Sequence, residues 1–101
     1  MILPKLTLAA LAISLVPAHA MSGPVGQACL RSDRPAATAA LCRCIDQVAE
    51  QTLSRRDQGQ AAGFFRNPDR AQLVRMHKSP SANAFWARYK NFANMSARYC
   101  G

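Results

Sequence analysis

Two of the four cysteines, Cys42 and Cys44, stand two residues apart inside residues 36–53, an Ala-rich stretch with neither Gly nor Pro. Such a stretch predicts a helix, and two residues of helix rotate the chain by about 200°. The two thiols therefore point apart. A disulfide needs Cβ atoms about 4 Å from each other and facing together. Cys42 and Cys44 are thus not expected to pair with each other, and each needs its own partner, one Cys29 and the other Cys100. Two of the three connectivities remain. A hairpin turning near Asp33 and Arg34 brings Cys29 nearer to Cys42. That favours Cys29–Cys42 with Cys44–Cys100, and leaves Cys29–Cys44 with Cys42–Cys100 as the alternative.

A disulfide framework presupposes an oxidising compartment, and the start of the chain predicts how it gets there. Lys5 precedes an apolar run over residues 6–16, followed by Pro17-Ala18-His19-Ala20. A basic start, a short apolar run and a small-x-small site are the pattern of a secretory leader. The expectation is a signal peptide over residues 1–20, cleaved after Ala20, and one small helical domain over residues 21–101. The apolar run is too short to span a bilayer, which takes about 20 such residues. A chain of this length buries a modest core and gains from covalent staples.

Short polar residues, some followed by Pro, mark the helices. A turn of helix begins near Val25 and carries Cys29 and Leu30. Ser32 or Asp33 caps the next helix with Pro35 in its first turn, and Leu41, Ile45, Val48 and Thr52 form its apolar stripe while Asp46, Gln47, Glu50 and Gln51 face water. Ser54 with Asp57 three residues on is a variant of the capping box, opening a helix to Phe65. Asn67-Pro68-Asp69 opens a short helix through Leu73, Val74 and Met76. Ser79-Pro80 opens the last, with Phe85, Trp86, Tyr89, Phe92, Met95 and Tyr99 at steps of three and four. Val and Ile are scarce and period-two alternation is absent, so no strand is expected. The fold class is all-α: a small disulfide-stapled bundle of about four helices.

Charge directs the functional reading. Lys5 leaves with the leader, so the 13 Lys and Arg become 12, ten of them Arg, against five Asp and Glu. The mature chain is basic, and its expected partner is an anionic envelope component or an acidic protein; nucleic acid is not favoured. Arg55, Arg56, Arg66, Arg70, Arg75 and Lys78 surround the two middle helices and are the candidate anion contacts, aided by the helix N-termini at Ser54 and Asn67. Trp86 lies one step off the aromatic stripe and is the candidate aromatic contact. No feature specifies an oligomeric state. No catalytic residues are assigned: His77 with Ser79, Ser81 or Ser96 has no spacing that supports a nucleophile and base. No cofactor or metal site is assigned either. The alternative function is a carrier of a small ligand, or of a soft metal on the Cys42-x-Cys44 thiols, and an enzyme is the least favoured class.

The stretches Ala28-Cys29-Leu30, Leu41-Cys42-x-Cys44-Ile45-x-x-Val48-Ala49, Thr52 to Gln58, Ala61-Ala62-x-Phe64-Phe65 with Asn67-Pro68, and Phe85-Trp86-x-Arg88-Tyr89-Lys90 up to Tyr99-Cys100 form one pattern. It resembles a family of short exported four-cysteine proteins of Gram-negative bacteria, some of which carry the label arginine transporter. The resemblance covers nearly all of residues 21–101. It implies a periplasmic location and a shared helical fold, and it assigns neither an activity nor site residues.

Overall fold

Four of the helices begin where a short polar side chain takes up a first-turn N–H group. Thr38 Oγ1, Ser54 Oγ and Ser79 Oγ accept from the N–H groups of Leu41, Asp57 and Ala82, each at 3.1 Å. Asn67 Oδ1 accepts from Asp69 N–H at 3.2 Å. Caps of this kind contribute about 1 kcal/mol each. In the computed structural model, which describes residues 23–101, they delimit α2 (Ala39–Thr52), α3 (Arg55–Arg66), α4 (Asp69–Met76) and α5 (Pro80–Cys100), preceded by α1 (Pro24–Arg31). The expected leader, residues 1–20, lies outside the described residues. The class is all-α with no strand among the described residues; the turn foreseen near Val25 is a full helix, making five.

One boundary differs from expectation. Residues 32–38 form turns, with Ala37 N–H donating to Arg34 O at 3.0 Å and Thr38 N–H to Ala36 O at 2.8 Å. Pro35 therefore lies in the loop, and Thr38, not Ser32 or Asp33, caps α2. The later start leaves room for α1 to fold back along α2.

Both disulfides follow the favoured pairing. Cys29–Cys42 joins α1 to α2 with Cα atoms 5.5 Å apart, and Cys44–Cys100 joins α2 to the end of α5 at 5.7 Å. Cys42 is wholly buried and Cys44 partly so, as expected of two thiols facing apart on one helix.

α1 packs between α2 and α3, while α5 runs past α2, α3 and α4. Val25, Val48, Ala49, Leu53, Ala61 and Phe92 meet as the core. Tyr89 packs against this core, and its ring lies 5.0 Å edge-on from Phe64, 6.1 Å from Phe85, 5.9 Å from Phe92 and 5.3 Å from Trp86. Such ring pairs add about 0.5–1.5 kcal/mol each beyond burial. Tyr99, at the far end of the same stripe, is exposed, although the next residue, Cys100, is tied to α2. Burial raises the Tyr89 phenol above its ordinary pKa near 10, and Arg34 acts in the opposite direction. A raised acid pKa means the folded chain holds its proton longer than the unfolded chain. Stability is therefore complete below about pH 10 and falls as pH rises through the folded value. Urea midpoints taken across that range should decline in wild type and decline less in Tyr89→Phe.

The buried face of α2 is turned from the expected stripe. Leu41 and Ile45 are half-buried, whereas Asp46, expected to face water, is buried. The cause lies in α1. Its N-cap is Gly23, which has no capping side chain, and Pro24 follows at the first position. Asp46 supplies the missing acceptor from α2: its Oδ1 takes the Gly26 N–H at 2.8 Å. An anion at a helix N-terminus is also favoured by the helix dipole. The approach requires glycine at both sites. A Cβ on Gly26 would sit 2.8 Å from Asp46 Cβ and Cγ, and one on Gly23 would overlap the carboxylate.

Candidate functional site at the α3, α4 and α5 cleft

α4 contributes no buried residue. Leu73 and Met76 are 69 % and 72 % exposed on this helix, so it covers its neighbours loosely. The space left open is a cleft of about 740 Å³ between α3, α4 and the first turns of α5. Arg56 and Asp57 enter it from the start of α3, His77 from the end of α4, and Phe85 and Arg88 from α5. Ser79, the cap of α5, and Ser81 stand at its edge, with their hydroxyl oxygens 3.4 Å apart.

Asp57 organises the cationic side. Placed three residues after the cap by Ser54, it is buried, and its carboxylate accepts from Arg88 Nε at 2.6 Å and from Nη2 at 3.2 Å. This fork-to-carboxylate geometry fixes the plane of the guanidinium. Arg88 Nη1 takes no part in it, and half of the Arg88 side chain is exposed. The hydrogen bond to Asp57 raises the Arg88 pKa, so the guanidinium stays charged. The cleft thus holds a braced cation, a second cation in Arg56, an imidazole in His77, and an apolar floor of Leu73, Val74 and Phe85.

A smaller cavity of about 280 Å³ adjoins it between α3 and α4, lined by Gly59, Gly63, Phe64 and Arg70 and sharing Gln60, Leu73 and Val74 with the larger. Gly59 leaves open space, since a Cβ there would meet nothing within 4 Å.

Of the expected anion contacts, Arg56 lines the larger cavity and Arg70 the smaller. Arg55, Arg66, Arg75 and Lys78 are exposed but line neither. Trp86 is half-buried against Tyr89, one helical step round from Phe85 and outside the lining. Sequence reasoning missed Arg88 and His77 as cleft residues. The one available signal was Asp57 itself, an acid at a capping position that usually takes Glu or Gln. All four cysteine sulfurs are taken up in disulfides, which leaves no thiolate on Cys42 or Cys44 in the oxidised chain. Among the described residues no helix is long and apolar enough to cross a membrane. Comparison with protein-family models, with curated proteins and with solved structures found no match.

Proposed function

We propose that this chain is a non-enzymatic exported protein, periplasmic or secreted, whose cleft binds an anionic envelope component or the acidic surface of a partner protein. The two disulfides support an oxidising compartment, in line with the leader-like start of the sequence and its resemblance to exported four-cysteine proteins. The observation that carries the binding reading is the gathering of Arg56, Arg88 and His77 around one open, half-apolar cleft. Arg88 is held in a fixed plane by Asp57, which lowers the ordering cost of binding.

The test is binding to anionic vesicles, anionic envelope polymers and acidic peptides at low and high salt. Attraction between exposed charges is largely screened beyond about 8 Å at physiological ionic strength and over shorter distances at higher salt, so affinity should fall steeply as salt is added. Arg56→Glu should weaken binding by about tenfold without lowering the unfolding midpoint, because Arg56 is exposed and an acid in the first turn of α3 suits the helix dipole. Salt-insensitive binding, or none to any of these probes, overturns the reading. A second reading, a carrier for a small anionic ligand, draws on the cleft volume, which lies in the range of small-molecule sites. It predicts that a small anion competes with the larger probes.

A further inference from the structure

The two cavities form one groove with an order along it. At one end Arg56 of α3 and His77, the C-cap of α4, share the larger cavity. In the middle, Gln60 faces Leu73 and Val74, which line both cavities. At the other end Gly63 and Arg70 share the smaller one, and Arg70 Nη1 lies 3.5 Å from where a Gly63 Cβ would stand. α4 therefore runs back along α3, with cations at both ends and an apolar middle. The seven residues from Arg70 to His77 span about 10 Å, close to two turns of helix.

We infer that this groove receives an acidic amphipathic helix of a partner protein, with carboxylates two turns apart meeting Arg56 and His77 at one end and Arg70 at the other. The inference rests on the anion-binding reading above and narrows it. Charge placement selects the occupant. A single-headed amphiphile would satisfy one cationic end and lay its tail against the other. A helix with acids at i and i+7 and apolar residues at i+3 and i+4 matches both ends and the middle. The walls also select a helix over an extended strand. Their backbone groups are spent within α3 and α4, so an extended peptide would find no ladder to pair with, whereas a helix satisfies its own. Gly59, on the α3 wall beside Gln60, leaves the room such a helix needs, since nothing lies within 4 Å of where its Cβ would stand. Leu73, 69 % exposed along the groove, is the apolar surface it would cover.

The experiment uses the disulfide-bonded protein and a labelled four-turn helical peptide carrying Glu at i and i+7 and Leu at i+3 and i+4, beside the same peptide with Lys for Glu. Fluorescence anisotropy should show saturable binding of the Glu peptide and binding about tenfold weaker, or absent, for the Lys peptide. Arg70→Glu should weaken the Glu peptide by about tenfold and strengthen the Lys peptide. Gly59→Leu should abolish binding while leaving helicity and the melting midpoint unchanged or raised, since its side chain enters open space. Equal binding of the two peptides, undiminished binding to Gly59→Leu, or no binding of the Glu peptide overturns the inference. If anionic vesicles still bind in a salt-sensitive way when the peptide does not, this inference falls and the broader reading stands. If neither binds, both fall.

Discussion

Replacing Cys44 and Cys100 together by Ser lowers the stability of the oxidised chain by about 4 kcal/mol, against about 3 kcal/mol for Cys29 and Cys42 together to Ala. The difference comes from loop length. Removing the first pair frees a separation of 56 residues, removing the second only 13, and the longer loop restricts the unfolded chain more. A domain of this size has about 4–12 kcal/mol of stability in total, so loss of the long bridge brings it near unfolding at ambient temperature. The same bridge is the more accessible. Cys29 and Cys42 are 2 % and 0 % exposed, whereas Cys44 and Cys100 are half-buried at the end of α5. A mild reductant should therefore open Cys44–Cys100 first, as peptide mapping of partly reduced protein would record. Guanidinium midpoints that rank the two variants the other way round would show that native-state packing, not the unfolded chain, governs the effect.

Asp46→Ala should cost about 2 kcal/mol, a large value for one residue on a helix. The Gly26 N–H is buried and has Asp46 Oδ1 as its acceptor, and a buried donor left without a partner costs about 1–3 kcal/mol. Asp46→Asn separates the two contributions. Its side-chain oxygen can still accept from Gly26, so the variant loses only the attraction between charge and helix dipole, about 0.3–1 kcal/mol at most sites. Gly26→Ala should resemble Asp46→Ala, since the new methyl drives the carboxylate away from the helix end. Equilibrium unfolding of the three variants provides the comparison. If Asp46→Ala is neutral, the carboxylate is not the acceptor α1 depends on, and the account of both glycines fails with it.

The candidate site was half legible. Arg56 and Arg70 stood out because basic residues crowd the two middle helices, but the same crowding pointed equally to Arg55, Arg66, Arg75 and Lys78, which line neither cavity. Clustering along a sequence reports which helix a charge is on, not whether a neighbouring helix faces it. Arg88 and His77 were hidden for the opposite reason. Arg88 sits among the aromatic and basic residues of α5 and has the spacing of a solvated flank. Only the packing of α3 beside α5 brings Asp57 to its guanidinium, across 31 residues of chain. The openness of the cleft had no sequence signal either. It arises because α4 buries none of its residues and Leu73 stays exposed along it, while Gly59 leaves the wall of the adjoining smaller cavity bare.

Local rules accounted for most of the framework. Thiols two residues apart on a helix must diverge, and that limited the disulfides to two pairings; Ser54 and Ser79 marked helix starts because a hydroxyl at that position takes an N–H that nothing else in the helix accepts. These are properties of a few consecutive residues and need no knowledge of the rest of the chain. The burial of Asp46 is different in kind. Its own helix gives it no reason to turn inward, and its position among Gln and Glu reads as a wet face. α1 decides it, by presenting a helix end with no cap of its own and two glycines that let the carboxylate come close. The cleft belongs to the same class, since a cavity exists only between elements, and its charge depends on which side chains the packing leaves pointing into it.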